Sequence, residues 1–319
     1  MQQVAYSGTY VSLDSVYSGL YAPASVMHSP DDVRGFGPKT NAPPPQPRMA
    51  SDDVRALIAD GALFALGDSG GKDSQAQRIR VAAMVPRAQL LVVHATLGEV
   101  EWPGALEHAR DGAARMGLPF LVAQAPKTFF DMVEHRHRTR PDAPAFPQAA
   151  NRQCTSDLKR DPIVREVRRY AKAHRFAKVV TCMGLRAQES AARAKRSTLT
   201  RSARYSTGGR EWFEWLPVHE LTADEVFATI RDAGEVPHPA YAAGNERLSC
   251  MFCILGSARD ARNAALHNPD LFARYVEVER RTGSTVHQSR KSLETVAGLT
   301  VAEAHALRRT LPVIGGAHG

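Results

Sequence analysis

Hydrophobic and polar positions fall in blocks along this chain, and the blocks follow two different periods. Short apolar runs at 62–66, 89–95, 119–123 and 178–182 alternate with longer stretches at 75–85, 101–116, 128–137 and 161–174, where apolar residues recur three and four apart. The short runs suit strands buried on both faces, and the longer spacing suits helices with one apolar stripe. Strand and helix in alternation require crossover connections, which predicts an α/β fold with a doubly wound parallel sheet of about five strands. Pro86 is expected to end the 75–85 helix. Further on, 212–218 reads as a short strand and Thr222 as the cap of a helix over 223–232. Ser51, followed by Asp52 and Asp53, reads as the cap of an earlier helix running to about residue 60.

Both ends depart from this alternation. Residues 1–50 are rich in Ser, Tyr, Gly and Pro, show no period, and close on Ala42-Pro-Pro-Pro-Gln-Pro-Arg48. Such a segment is expected to be a flexible arm, ordered only by packing on the body or on a partner. From 258 onward the pattern is helical, and the tail after Leu311 is expected to be loose. The expected organisation is therefore an arm over 1–50, an α/β domain over 51–257 and a helical extension over 258–319.

With 43% hydrophobic residues in 319, there is ample material for a core. No run of eighteen apolar residues occurs, and the N-terminus lacks the pattern of a secretory leader. The expectation is a cytoplasmic protein with no membrane partner. Net charge changes the picture more than hydropathy does. Of the overall +8, residues 151–210 supply sixteen Lys/Arg against four Asp/Glu, so the remainder is net acidic. A localised basic stretch points to an anionic partner such as a nucleotide or nucleic acid, although for the part from Lys159 to Lys178 a solvated helix face is the better reading. Within 193–210, Lys195, Arg196, Arg201 and Arg204 are interleaved with Ser and Thr and followed by Gly208-Gly209, which suits either a mobile clamp on a polyanion or an ordinary surface loop.

The first chemical signal is Ser69-Gly70-Gly71-Lys72-Asp73-Ser74, where the 62–66 strand gives way to a helix. Unpaired amides at a helix start, two glycines and two hydroxyls make an anion site, and Lys72 adds a positive charge. A Walker A loop is excluded. Gly67 to Gly71 leaves three intervening residues where that motif has four, and Asp73 stands in place of its Mg²⁺-binding hydroxyl. Ser-Gly-Gly-x-Asp-Ser instead resembles the pyrophosphate loop of the PP-loop ATP pyrophosphatases and of the related phosphoadenylylsulfate (PAPS) reductases.

Three further segments extend that resemblance in the expected order. His94-Ala-Thr-Leu-Gly-Glu-Val-Glu-Trp-Pro-Gly104 resembles the segment after the second strand in the PAPS reductase family, where strand-end backbone holds adenine. Thr96 stands where the family commonly has aspartate. Gly184-Leu185-Arg186, continuing through Glu189-Ser190 to Arg193, resembles the family's strand-end motif, whose arginines face phosphate or sulfate oxygens. A guanidinium is a permanently charged fork suited to such oxyanions. Cys154 lies in a Cys-Thr-x-x-Leu-Lys segment resembling that of phage and mobile-element members, and Cys250 and Cys253 form a Cys-x-x-Cys pair.

Four cysteines in such a chain do not resemble a disulfide framework. Three thiolates from Cys154, Cys250 and Cys253 suit an iron–sulfur cluster or zinc, and buried unligated thiols remain the plain alternative. Cys182, inside an apolar run, suits packing. His135 and His137 lie among arginines and read as basic surface.

The resemblance implies an adenine-nucleotide α-hydrolase-like, Rossmann-like fold and an enzyme that splits ATP into AMP and pyrophosphate to activate an acceptor for sulfur transfer. It implies nucleotide contacts from Ser69, Gly70, Gly71, Lys72, Asp73, Ser74, His94, Thr96 and Gly184, with Mg²⁺ at Asp73. Catalytic roles fall to Lys72, Asp73, Arg186 and Arg193. A 4Fe-4S cluster on the three cysteines would carry sulfur, supplied by a donor protein, to an acceptor that could be nucleic acid. The alternatives are a reductase acting on PAPS or adenylylsulfate, and a non-catalytic nucleotide-binding module with structural zinc. The family's C-terminal Glu-Cys-Gly-Leu-His segment is missing, and no cysteine follows Cys253 in this sequence.

Overall fold

The computed structural model describes residues 51–311, all within one compact unit. The expected arm over 1–50 and the tail after Leu311 lie outside the described residues. The elements are α1 (Asp52–Ala59), β1 (Leu63–Gly67), α2 (Lys72–Ala82), β2 (Leu90–Thr96), α3 (Ala105–Arg115), β3 (Phe120–Gln124), α4 (Phe129–Thr139), α5 (Asp161–Ala173) and β4 (Lys178–Cys182). They continue with β5 (Leu199–Arg201), β6 (Glu211–Trp215), α6 (Ala223–Asp232), α7 (Ala258–His267), α8 (Pro269–Thr282), α9 (Leu293–Ala297) and α10 (Val301–Arg308).

The six strands form one sheet in the order β3-β2-β1-β4-β6-β5. Five are parallel, and β5 runs antiparallel along β6 at the edge. That edge strand corrects the expectation of a loop over 193–210. Leu199, Thr200 and Arg201 pair with Trp215, Glu214 and Phe213. Charge and small polar residues concealed the strand, because a three-residue edge strand needs no apolar alternation to be held by its neighbour.

Strand side chains alternate between two apolar layers, as a period of two requires. Phe64 and Leu66 join Val54, Leu57, Val81 and Ala113 of α1, α2 and α3 on one face. Leu63 and Ala65 face Val164, Val167 and Ala171 of α5 and the fully buried Trp212 on the other. A third cluster joins α4 to Trp102, the Met251-Phe252 segment and the four C-terminal helices. Helices α7 to α10, which fall in the stretch expected to be a helical extension, share this core with the α/β body.

Three boundaries moved for local reasons. The helix expected from 75 begins at Lys72, with Gly71 as its cap, so the glycine motif is itself the first turn. The helix expected from 101 begins at Ala105, after a 3₁₀ turn at Gly98–Val100 and after Gly104, whose φ of 82° lies in the left-handed region. Helix α5 is preceded by a helical turn at Gln153–Thr155 and a π turn at Ser156–Arg160.

His238 clamps the loop after α6 to the segment after β2. Its Nε2 donates to the Pro103 carbonyl at 3.1 Å, and its Nδ1 accepts from the Ala240 N–H at 3.1 Å, so the ring fits only as the neutral tautomer. Burial, with His108 nearby, brings its pKa down to about 4. Protons therefore bind the unfolded chain more readily, and this contribution to stability is present above pH 6.5 and lost as pH falls toward 4. The loss should be about 3 kcal/mol, the free-energy equivalent of that shift. Urea titrations at several pH values should show this acid limb flattened in His238→Gln. An unchanged limb would assign the sensitivity elsewhere.

Candidate active site

A cavity of about 340 Å³ opens at the carboxyl ends of β1, β2 and β4. Neighbours of β1 lie at β2 on one side and β4 on the other, so the chain order reverses here, which is where α/β sheets place ligands. Ser69, Gly71, Asp73 and Ser74 line it from the glycine loop, Gly184 and Arg193 from beyond β4, and Glu101 from beyond β2.

The loop is shaped by Asp68, which precedes the motif and is buried. Its Oδ1 accepts from the Gly70 N–H at 2.9 Å and lies 2.9 Å from the Ser74 hydroxyl, while Oδ2 accepts from Arg78 Nε at 3.1 Å. Arg78 is fully buried in α2 and also donates to the Gly112 carbonyl and to both carboxylate oxygens of Glu235. Gln75 donates to Glu235 as well. Gly70 is obligatory on two counts: its φ is 74°, and a Cβ there would sit 2.5 Å from the Ala105 carbonyl oxygen. Gly184 is likewise required, since its Cβ would meet the Asp73 carbonyl carbon at 2.9 Å.

Several expected site residues turn away from the cavity. Lys72, expected to offer its charge to the anion, is buried: its Nζ lies 3.1 Å from Asp73 Oδ2 and 5.4 Å from the centre of the Tyr241 ring. The Tyr241 hydroxyl accepts from the Lys72 N–H at 2.9 Å. Arg186 is also buried and donates to Asp73 Oδ1 at 2.6 Å. Asp73, half-exposed to the cavity, is therefore held from behind by two cations. Arg193 reaches the cavity wall and pairs with Glu189, which also pairs with Arg247 at 3.5 Å.

His94 is fully buried and acts through Glu101. Its Nδ1 faces the Asp68 carbonyl at 2.8 Å and its Nε2 faces Glu101 Oε1 at 3.0 Å. Both partners are acceptors, which calls for an imidazolium. Burial opposes that charge, but Glu101 and Asp68 together outweigh it and the pKa is raised. Thr96 donates to the other Glu101 oxygen at 3.2 Å and borders a smaller cavity of about 110 Å³ toward β3.

The three cysteines gather beside the cavity rather than on its wall. Cys250 is bridged to Glu101, and the Met251 N–H donates to the Val100 carbonyl at 2.9 Å. Lys159, from the π turn, lines the cavity and feels Cys250 most strongly, then Cys253 and Cys154, so its pKa is raised. Burial pushes the Cys250 thiol up to about 11 and raises Cys154 too, with Lys159 opposing. Among the described residues, no three His, Cys, Asp or Glu side chains are placed to hold a single metal ion. Cys182 is buried in the β4 core, as expected for a packing residue.

Asp68, Glu101, Lys159 and Arg247 were missed as site residues although each sits in or beside a recognised motif. Arg78 and Glu235 gave no sequence signal, being an interior helix position and a loop residue joined only by folding. Removing Arg78 leaves two buried carboxylates without their shared cation, so Arg78→Met should cost about 3–5 kcal/mol in urea unfolding. A loss within 1 kcal/mol would mean that the carboxylates are neutral.

The family profile for the phosphoadenosine phosphosulfate reductase domain matches residues 64–255, well over half of the chain. An uncharacterised 37.8 kDa protein of Escherichia phage 186 is 29% identical over 169 residues, covering 50% of this chain and 49% of that protein. The chain thus spans about half the length of this curated relative. Among solved structures, PAPS reductase from Candida auris is similar with a TM-score of 0.39 and 12% identity, covering 63% of this chain and 96% of that one. The NH₃-dependent NAD synthetase of Campylobacter jejuni has a TM-score of 0.32 and 14% identity, covering 83% and 99% respectively. On the profile match, which takes in the glycine loop, the strand-end arginines and all three clustered cysteines, the chain belongs to the phosphoadenosine phosphosulfate reductase domain family.

Proposed function

We propose that this chain is an enzyme that cleaves ATP between its α and β phosphates and uses the activated adenylyl group to prepare an acceptor for sulfur transfer. The observation that carries this reading is the Asp68-locked loop opening onto a cavity whose wall includes Lys159, Arg193 and Arg247. The hydroxyls of Ser69 and Ser74 and the amides at the start of α2 would take the departing pyrophosphate. An acceptor oxygen attacks the α phosphorus, the bond to the bridging oxygen breaks, and pyrophosphate leaves with the electron pair; with water as acceptor the products are AMP and pyrophosphate. Arg193 can offset charge on the phosphoryl oxygens by exchanging Glu189 for them, and Lys72 and Arg186 hold the Asp73 side chain in place from behind. Asp73 would hold Mg²⁺, which supplies charge neutralisation on the phosphates when bound.

Cys154, Cys250 and Cys253, whose thiols act on one another and on Lys159, are the residues that would hold an iron–sulfur cluster on this reading. Such a cluster would carry the sulfur received from a donor protein. The family also supports a PAPS or adenylylsulfate reductase reading, so the assay must separate the two. With ATP the expected products are AMP and pyrophosphate, whereas sulfite from PAPS would establish the reductase. Asp73→Asn and Ser69→Ala should each lower pyrophosphate release at least tenfold while leaving the folded structure intact. Full activity in both variants would remove the loop from catalysis.

Nucleic acid is the proposed acceptor class, on the strength of the basic stretch at 193–210. Arg196, Arg201 and Arg204 there already face Glu214, Glu211 and Asp161, so counterion release should be modest. Neutralising Lys195, Arg196, Arg201 and Arg204 together should reduce the salt dependence of binding to RNA or DNA by about one to three counterions. An unaltered slope would make this stretch a plain surface.

A further inference from the structure

Two basic segments that lie apart in the sequence meet on one face of the molecule. In α5 the cations Arg165, Arg168, Arg169 and Lys172 recur three and four residues apart, so they form one stripe. It lies opposite the Val164, Val167 and Ala171 face, which packs on the sheet. Arg175, just past the helix, extends the stripe at a φ of 59°. The β5–β6 connection adds two more cations. Arg204 stands 5.5 Å from the centre of the Tyr205 ring, and Arg210 Nε donates to the Phe176 carbonyl at 2.9 Å. Arg168 joins the two segments by donating to the Tyr205 carbonyl at 3.2 Å.

Carboxylates answer only part of this charge. Glu166 pairs with Arg165 and Arg169, and Asp161 with Arg160 and Arg204. Among the described residues, no carboxylate pairs with Arg168, Lys172, Arg175 or Arg210, and Lys172 and Arg175 are exposed. Like charges three and four apart destabilise a helix, and Lys172 stands so to both Arg169 and Arg168. An anionic partner lying along the stripe removes that repulsion. The stripe also has a direction: Lys159, just before α5, and Ile163 in its first turn line the active-site cavity, whereas Arg175 lies at the far end, next to the start of β4. A repeating polyanion suits a straight cationic row. The cavity at its end, about 340 Å³, is of small-ligand size, so a nucleotide enters it only unpaired.

We propose that the α5 stripe and the β5–β6 connection form a track on which a single strand of nucleic acid lies by its phosphodiester backbone, presenting one nucleotide at the cavity. This deepens the nucleic-acid acceptor reading above and rests on it. Contacts to phosphate carry no sequence information, so the track takes RNA and DNA alike.

The test measures binding of labelled oligothymidylate and oligouridylate to the full chain across a salt series. Wild type is compared with the triple variant Arg169→Gln, Lys172→Gln, Arg175→Asn, in which Asn suits the left-handed backbone at 175. The variant should bind both strands about tenfold more weakly at low salt and lose about two counterions from the salt slope, at ~0.7 per contact on a single strand. Arg169→Lys with Arg175→Lys, which keeps the charge, should keep the slope; a slope lost here as well would mean that the residues act through packing and would overturn the track. An unchanged slope in the triple variant, with a lowered one when Lys195, Arg196, Arg201 and Arg204 are neutralised, would overturn the α5 track and leave the acceptor reading standing. Wild type that binds neither strand would overturn both. Polyglutamate that competes as strongly as the strands, charge for charge, would assign the stripe to an acidic polypeptide instead.

Discussion

A buried carboxylate sets the terms for the rest of this structure. Asp68 sits at the end of β1 with almost no solvent, and its two oxygens receive the Gly70 amide, the Ser74 hydroxyl and the Arg78 guanidinium. Taking such charges out of water is costly, and the cost is offset only where every lone pair and proton has a partner. Arg78 meets that demand by reaching the Gly112 carbonyl on α3 and Glu235 after α6. Gly112 has no side chain for the same reason: a Cβ there would lie 2.2 Å from the guanidinium. Strand β1, helices α2 and α3 and the loop after α6 are thus aligned by one ionic knot, and the glycine loop inherits its shape from that alignment.

Around this knot, nearly every charge of the site is already answered. Asp73 lies between Lys72 and Arg186, Glu189 between Arg193 and Arg247, and Glu101 between His94 and Thr96. A phosphate entering the cavity exchanges partners and does not fill a bare cationic pocket. Exchange lowers the net gain per contact, but it keeps each side chain ordered, so little conformational entropy remains to be lost on binding. The buried cations Lys72 and Arg186 fix the aim of Asp73, whereas Arg193 and Arg247, nearer solvent, are free to change partners.

How much of this was legible in the sequence follows from the range of the interactions concerned. The strand over 178–182 and the helix over 223–232 were readable because periodicity and a Thr222 capping box are local. The loop was readable because six adjacent residues carry it. Strand β5 was not, since it is held by pairing with β6 and not by its own composition. The inward turn of Lys72 was also hidden: nothing in Gly-Gly-Lys-Asp indicates that Tyr241, far along the chain, would cover it. Asp68 could have been suspected from its place beside the motif, but its role depends on Arg78 and Glu235, which only the fold brings within reach.

The C-terminal helices illustrate the same dependence from the other side. They share one apolar cluster with Phe129, Phe130, Phe146, Met251 and Phe252, so the cysteine-bearing loop is packed from below by residues outside the family region. On its upper side that loop is tied to the cavity through the Glu101–Cys250 bridge. Glu101 is in turn held by His94, and His94 by the Asp68 carbonyl. A series of hydrogen bonds and backbone pairing therefore runs from Asp68 through the buried His94 and through Glu101 to the backbone of Cys250. Because His94 is fully buried and bonded at both nitrogens, this link holds the glycine loop and the Cys250 segment at a set distance. A group bound at the glycine loop is thereby held at a fixed remove from the segment that carries Cys250, and such positioning is worth more than any single strong contact.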